Sequence, residues 1–198
     1  MPGRIGDLYH RYAPAFDAAR RRDFPERAWF DRFMRSIPRG GHLLDLGCGG
    51  GEPVARYLID RGYRLTGVDI APAMIQLART RFPRQTWMEA DIGTLAAEPG
   101  SYDGIVAWDS LSHLREETQR QLVIRMAQWL RRGGVALFNT GRGLIHQLEP
   151  AADEDIFHAD LTPATCRALF AQCGLAELAH VAEDTTCGGT SVWLVGRV

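Results

Sequence analysis

The chain has 198 residues, of which 45% are hydrophobic and 24% are charged, and its formal net charge at pH 7 is -1. This length and composition predict a single globular domain that buries a core of its own. The near-neutral charge argues against a protein that follows nucleic-acid phosphates, because such proteins usually present a basic surface. All 23 cationic residues are arginine, so mechanisms that need a lysine nucleophile or base are excluded.

Targeting and metal signals are absent from the sequence. The N-terminus lacks the apolar segment of a secretory signal, and no stretch approaches the roughly 18 apolar residues of a membrane-spanning helix. The cysteines form neither a CxxC pair nor a Cys/His cluster with zinc spacing; they are Cys48, Cys166, Cys173 and Cys187. We therefore expect a cytoplasmic protein with free thiols, no metal site and no membrane partner.

The first 40 residues are predicted to form a helical cap ahead of the rest of the domain. Apolar residues recur at the spacing of a helix face in two groups: Tyr9, Tyr12, Ala13 and Phe16, followed by Trp29, Phe30 and Phe33. Such stripes are usually plain core, and a lid over a ligand is the alternative. We expect both helices to pack over the C-terminal edge of the sheet that follows.

From residue 41 to residue 198, short apolar runs alternate with amphipathic segments, as is typical of βαβ units. The predicted strands are His42–Leu46, Arg64–Asp69, Thr86–Ala90, Tyr102–Trp108, Gly134–Asn139, Ala176–Glu183 and Ser191–Val198. The predicted helices are Pro53–Arg61, Pro72–Phe82, Arg115–Arg131 and Pro163–Cys173. The last two strands form a hairpin. The fold class is therefore α/β, with a doubly wound, seven-stranded mixed sheet whose last strand is antiparallel.

Local signals set several helix ends. Pro53, Pro72 and Pro163 suit the first helical turn, where a missing N–H has no cost. Thr162 is predicted to be an N-cap. Residues 131–134, Arg-Arg-Gly-Gly, are predicted to close a helix, with cations near its carboxyl end and glycine just beyond.

Residues 47–51, Gly-Cys-Gly-Gly-Gly, lie between the first predicted strand and the next helix. Glycines at such a place let backbone N–H groups approach a ligand closely. Dinucleotide-binding folds use G-x-G-x-x-G there to hold a pyrophosphate. The position three residues beyond Gly49 is Glu52, whose charge would repel phosphate. A ligand without phosphates fits better, and an NAD-dependent oxidoreductase is the less favoured alternative.

The sequence DLGCGGG, residues 45–51, resembles the first motif of the class I S-adenosylmethionine (SAM) dependent methyltransferases, an acidic residue followed by x-G-x-G-x-G. The resemblance covers roughly residues 42–198 and implies a Rossmann-like fold. It also implies SAM as the methyl donor and S-adenosylhomocysteine as the product. The residues implied to lie at the methionine portion of SAM are Asp45, Gly47, Cys48 and Gly49.

Further segments resemble later motifs of the same family, in the family's order. Asp69 ends the second predicted strand about twenty residues beyond Gly49, where a carboxylate can accept both ribose hydroxyls. Ile70 is implied to lie beside the adenine. In EADIGTL, which spans residues 89–95, Asp91 is implied to accept from the adenine amino group and Ile92 to offer its backbone N–H.

The sequence AWDSLSHL, residues 107–114, resembles the fourth motif, and the resemblance implies that Trp108 lies at the cofactor. LRRGGVALF, residues 130–138, resembles the Gly-Gly turn into the fifth strand. Aromatic residues of the cap could hydrogen-bond the SAM carboxylate or cover its sulfonium, because aromatic faces attract cations. The candidates are Tyr9, Tyr12 and Trp29, and plain packing is the alternative for each.

Methyl transfer from a sulfonium is an in-line displacement, so the protein mainly supplies alignment and a dry pocket. A base is needed only when the acceptor loses a proton. His113 is the first candidate, because imidazole titrates near neutral pH. Asp109 and His158 are further candidates, and a packing or pocket-lining role is the alternative for the histidines.

These features predict a SAM-dependent methyltransferase that acts on a small molecule, with no nucleic-acid partner. A non-catalytic SAM-binding or regulatory module is the alternative from a different class, because a fold does not determine a function.

Overall fold

The computed structural model describes residues 23–141 and 161–198, together with Arg11, Ala13, Asp17 and Ala18. The predictions for Tyr9, Tyr12 and His158 lie outside the described residues. The α-helices are α1 (Arg27–Met34), α2 (Val54–Ile59), α3 (Pro72–Arg81), α4 (Glu116–Trp129) and α5 (Pro163–Cys173). The strands are β1 (His42–Leu46), β2 (Arg64–Asp69), β3 (Thr86–Glu89), β4 (Tyr102–Ala107), β5 (Leu130–Thr140), β6 (Leu175–Asp184) and β7 (Thr190–Arg197).

The seven strands form one sheet in the order β3-β2-β1-β4-β5-β7-β6. Strands β1 to β5 pair in parallel, whereas β7 runs antiparallel to both β5 and β6. This confirms the predicted mixed sheet with an antiparallel last strand. The chain builds outward from β1 to β3 and then crosses back to β4, so the order reverses between β1 and β4. Open α/β sheets bind ligands at the carboxyl ends of strands beside such a reversal.

The strand β5 differs from its prediction at its amino end. Residues 131–134 were expected to close a helix, and this prediction is wrong, because α4 ends at Trp129 and β5 begins at Leu130. Leu130 is buried and pairs with Tyr102, and the next pair along the ladder is Gly104 with Val135. The intervening residues therefore form an irregularity within β5. The Thr162 prediction is confirmed, since its side chain accepts from the Thr165 N–H at 3.2 Å.

The irregularity in β5 carries an ion pair. The Arg131 guanidinium donates to Asp103 Oδ1 at 2.6 Å, and the His42 backbone N–H donates to Asp103 Oδ2 at 2.7 Å. Burial raises the pKa of the Asp103 carboxyl, but these two hydrogen bonds and the charges of Arg131 and Arg64 together leave the pKa below its ordinary value. Asp103 thus ties the starts of β1, β4 and β5 together.

We expect Asp103→Asn to lower the free energy of unfolding at pH 7 by about 1 to 2 kcal/mol. The asparagine NH₂ group would face either the Arg131 guanidinium or the His42 N–H, which are both donors. A carboxyl with a lowered pKa contributes stability above its unfolded pKa of 3.8 and loses that stability as pH falls. Urea unfolding followed from pH 7 to pH 3 should therefore show the two proteins converging. A gap that stays constant over this range would contradict the assignment.

Apolar side chains cover both faces of the sheet. Helices α4 and α5 pack on one face in a cluster that includes Ile105, Phe138 and Trp193. Helix α1 packs on the other face, where Phe33 lies so close to Gly104 that an added Cβ would be 2.7 Å from its ring. Helix α1 therefore covers more than the predicted C-terminal edge of the sheet: Phe33 packs on a face, whereas Phe30 contacts Trp108 just beyond β4. No helix in the described part of the chain has the length and apolarity that crossing a bilayer requires.

Candidate active site

The loop after β1 is anchored to the end of β2. The backbone N–H groups of Gly47 and Cys48 both donate to the Val68 carbonyl, at 2.8 and 3.0 Å. Gly47 and Gly49 have φ values of +80° and +52°, a left-handed conformation that favours glycine. A Cβ on Gly47 would lie 2.4 Å from the Ser110 Cβ, whereas a Cβ on Gly49 would meet nothing within 4 Å. The loop is therefore packed at Gly47 and open at Gly49.

The Asp69 carboxylate braces this loop. Its Oδ2 accepts from the Gly49 N–H and its Oδ1 from the Ala71 N–H, both at 2.9 Å. Burial raises the pKa of Asp69, and the backbone N–H groups of Ala71, Gly49 and Ile70 oppose that rise. The two carboxylate oxygens offer about four lone-pair sites, of which these N–H groups occupy up to three. The group is thus held in place while it can still accept from a ligand hydroxyl.

The buried side chains of Asp45 and Cys48 lie in and just before the glycine loop. Asp45 is 3% exposed and lies in β1 between Gly67 of β2 and Val106 of β4. Burial raises the pKa of the Cys48 thiol well above its ordinary value, and the charges of Asp45 and Asp69 add to that rise. Because only a thiolate is reactive, Cys48 acts here as a small apolar side chain.

A short 3₁₀ turn, Leu111–His113, follows β4 and separates two loops. Ser110 packs against Gly47 on one side, and Leu114 lies 3.5 Å from the Cβ position of Gly93 on the other. Ser110 is 6% exposed, and its Oγ has no hydrogen-bond partner within the described chain. His113 is partly buried within the turn. The turn therefore lies between the glycine loop and the segment that follows β3.

The segment after β3 carries Asp91 and Ile92. Asp91 Oδ1 accepts from the Gly93 N–H at 2.7 Å, and the Asp91 carbonyl accepts from the Thr94 N–H at 3.1 Å. These two bonds form a tight turn around Ile92, whose side chain is buried in the core. Ile70 is partly exposed beside Asp69 at the end of β2. The residues predicted to contact the adenine thus follow the carboxyl ends of two neighbouring strands: Ile70 follows β2, and Asp91 and Ile92 follow β3.

Asp109 is held in an unusual backbone conformation by a reciprocal pair. Its φ is +51°, which is uncommon for a residue other than glycine. The Asp109 N–H donates to Asn139 Oδ1 at 2.7 Å, and Asn139 Nδ2 donates to Asp109 Oδ1 at 2.6 Å. Asn139 Nδ2 also reaches Thr190 Oγ1 at 3.3 Å, and that hydroxyl donates to the Cys187 carbonyl at 3.0 Å. The ends of β4, β5 and β7 are therefore joined.

This network was not found by sequence reasoning. Asn139 was predicted only as the last residue of the fifth strand, and Thr190 was not singled out. The two residues are 30 and 51 positions from their partners in the network, so no local spacing signals the contacts.

The structure places two of the predicted cofactor residues in an apolar cluster. The Trp108 ring packs on Phe30 with 5.2 Å between ring centroids. Trp29 is 8% exposed, and its Nε1 donates to Asp184 Oδ2 at 2.8 Å at the end of β6. Contacts of Trp29 or Trp108 with a cofactor stay predictions.

Comparison with known proteins decides the family. Residues 43–134, which contain the glycine loop, Asp69 and the turn after β4, match a family profile described as a methyltransferase domain. Residues 43–134 therefore form a domain of the class I SAM-dependent methyltransferase family. SAM is the cofactor of this family.

The relatives of this chain differ in the reactions that their names state. It is 31% identical over 138 residues to a malonyl-[acyl-carrier protein] O-methyltransferase of Serratia marcescens, covering 69% of this chain and 52% of that protein. It is 31% identical over 115 residues to a ubiquinone biosynthesis O-methyltransferase of Xanthomonas axonopodis pv. citri, covering 54% and 45% of the two chains. The chain spans about half or less of the length of the curated relatives it matches.

A solved structure shares the fold over the whole chain. The magnesium protoporphyrin IX methyltransferase of Synechocystis PCC 6803 superposes with a TM-score of 0.74 at 18% identity, covering 100% of this chain and 99% of that one. That protein was crystallised with bound S-adenosylhomocysteine. At this identity the likeness shows the methyltransferase fold.

Proposed function

We propose that this methyltransferase transfers a methyl group from SAM to a small-molecule acceptor. The observation that carries the proposal is the pairing of an open backbone at Gly49 with the fixed Asp69 carboxylate. A nucleoside needs a rigid acceptor for its ribose hydroxyls, and the fixed Asp69 carboxylate keeps acceptor capacity for them. Glu52 occupies the position of the third glycine in the dinucleotide-binding pattern, where a side chain and its charge disfavour the pyrophosphate of NAD, and Arg56 offsets part of that charge at 2.5 Å.

The residues present fit SAM. The exposed backbone at Gly49 would lie along its methionine portion, Asp69 would hold the ribose, and the turn at Asp91 and Ile92 would receive the adenine. When bound, SAM supplies a methyl group on a positively charged sulfur, which leaves as a neutral thioether. The buried Asp45 and Ser110 border the packed side of the glycine loop. The chain's own contribution is therefore orientation and the exclusion of water.

A small acceptor is favoured by two observations. The net charge of -1 offers little attraction to nucleic acid. The Xanthomonas relative bears the name of an O-methyltransferase of ubiquinone biosynthesis.

The cysteines bear on the compartment in which the protein works. All four cysteines are free, which suits the reducing environment of the cytoplasm.

The proposal is tested in two steps. Isothermal titration with SAM and S-adenosylhomocysteine should give sub-millimolar dissociation constants, and NAD should not compete with them. Release of a radiolabelled methyl group to members of a metabolite panel should then identify the acceptor. Absence of SAM binding would refute the proposal, and tight binding without turnover on any acceptor would favour the regulatory module instead.

His113 is proposed as the base for an acceptor that loses a proton. We expect His113→Ala to lower turnover by about two orders of magnitude, because a positioned base typically contributes that much, while SAM affinity stays near the wild-type value. Ser112→Ala changes the neighbouring residue of the same turn and serves as the control. If both variants turn over like the wild type, His113 only lines the pocket.

A further inference from the structure

The Arg125 side chain of α4 reaches across to the segment after β3. Its Nη1 donates to the Leu95 carbonyl at 2.8 Å, and its Nη2 donates to the carbonyls of Gly93 at 2.8 Å and Ile92 at 3.4 Å. Its Nε donates to the Gln121 carbonyl of its own helix at 3.4 Å. One guanidinium therefore holds three carbonyls of a single four-residue loop.

The loop that Arg125 holds, residues 92–95, directly follows Asp91. The Gly93 carbonyl accepts from Arg125, while the Gly93 N–H donates to Asp91 Oδ1 at 2.7 Å. The position of the Asp91 carboxylate is thus connected through Gly93 to the guanidinium. Burial lowers the pKa of Arg125, and the charge of Asp91 acts against that shift, which places the two groups within electrostatic reach of each other.

We infer that Arg125 is a positioning residue that sets the selectivity of the site for adenine over other purines. The inference rests on the proposed function, in which Asp91 accepts from the adenine amino group. A carboxylate discriminates between an amino group and a carbonyl oxygen only when it is held at a fixed distance and angle. Arg125 supplies that fixation without touching the ligand.

Arginine is required for this role by its shape. Its planar guanidinium presents five N–H donors in a rigid fork, and here those donors diverge to four carbonyls. Lysine at the same position would keep the positive charge but could not span carbonyls on both sides of the loop. Arg120, about one and a half turns earlier on α4, pairs with Glu116 at the surface, with 2.5 Å between Nη2 and Oε1. It offers a matched control.

The experiment compares binding of S-adenosylhomocysteine and S-inosylhomocysteine by isothermal titration to the full chain. The two ligands differ along one edge of the base, where the inosyl compound carries a carbonyl oxygen instead of the amino group and an N–H at N1 instead of a lone pair. We expect the wild type to prefer the adenosyl compound by roughly a hundredfold, because the mismatch leaves the Asp91 carboxylate facing an acceptor and the Ile92 N–H facing a donor. Both groups belong to the segment that Arg125 holds. We expect Arg125→Lys to reduce that preference by about tenfold and Arg120→Lys to leave it unchanged.

The outcomes separate the inference from the proposed function. A wild type that binds neither ligand refutes the proposed function and this inference with it. A wild type that discriminates, together with an Arg125→Lys protein that binds both ligands more weakly but with the preference intact, refutes the inference alone, since Arg125 would then only hold the fold together. Unchanged affinities in Arg125→Lys refute it as well.

A second variant guards against loss of folding. If Arg125→Lys does not give a cooperative thermal transition, Arg125→Met keeps an unbranched stem against Trp129, over whose ring the guanidinium carbon lies at 5.6 Å. Amide hydrogen exchange at Gly93 and Thr94 should speed up in either folded variant and not in Arg120→Lys. Exchange at wild-type rates would show that Arg125 does not fix the loop and would overturn the inference.

Discussion

Asp69→Ala is expected to weaken SAM binding by about 3 kcal/mol, close to a hundredfold in the dissociation constant. The variant loses an ionised acceptor for the ribose hydroxyls and also frees the N–H groups of Gly49 and Ala71 that the carboxylate now binds. The glycine loop and the start of α3 would no longer be tied to one side chain. The loss should therefore exceed that of a residue that only touches the ligand.

Glu89 provides the control for this prediction. It ends β3 in register with Asp69 on the neighbouring strand, but it is exposed. Glu89→Ala should bind SAM as the wild type does, and titration calorimetry of both variants measures the difference. Equal affinities for Asp69→Ala and the wild type would mean that Asp69 is not the ribose acceptor.

The same carboxylate predicts a pH dependence. Burial raises the pKa of Asp69 above its ordinary value of 3.8, so its protonation begins at a higher pH than that of an exposed aspartate. A protonated carboxyl accepts fewer hydrogen bonds, and SAM affinity should fall as pH is lowered through the raised pKa. The raised pKa also means that ionisation of Asp69 lowers native stability as pH rises through it. Asp69→Asn should remove both dependences.

Trp193→Ala is expected to lower the free energy of unfolding by about 3 to 5 kcal/mol, the usual cost of deleting a buried aromatic side chain. Trp193 is fully buried in β7 and contacts Phe170 of α5 at 5.4 Å between ring centroids. The His180 ring of β6 stacks on the Trp193 ring, with 3.6 Å between ring centroids. The Trp193 Nε1–H donates to Thr140 Oγ1 of β5 at 3.3 Å. The ring thus joins three strands and a helix.

Urea unfolding monitored by circular dichroism measures this loss. Val181→Ala is the matched control, because Val181 lies on β6 and is 43% exposed, and its truncation should cost well under 1 kcal/mol. A Trp193→Ala protein within about 1 kcal/mol of the wild type would show that the surrounding rings can collapse into the space.

The amino acid sequence was most informative where local chemistry decides the structure. The bounds of β1 and β2 were predicted correctly, because buried apolar runs there end at a glycine loop and at an aspartate. The sequence placed Asp69 at the end of the second strand, about twenty residues beyond Gly49, and the structure joins the two by a hydrogen bond. The sequence did not reveal that Asp69 also braces the loop.

The remaining features depend on partners far away along the chain. The amino end of β5 was predicted wrongly, because its irregular backbone is held by the contact of Arg131 with Asp103. The pairing of Asp109 with Asn139 requires a left-handed backbone at Asp109, which no sequence pattern announces. The contacts of Arg125 with the loop after β3 could not be predicted either, because its position in the sequence is that of an ordinary arginine on an amphipathic helix.

The position of Thr190 has a consequence for synthesis on the ribosome. Strands β1 to β4, the glycine loop and Asp69 all precede Thr190 along the chain and leave the ribosome before it. Thr190 joins the Asp109–Asn139 pair only when β7 takes its place between β5 and β6. The hydrogen bonds around Asp109 are therefore completed only after the glycine loop and its Asp69 anchor have been synthesised.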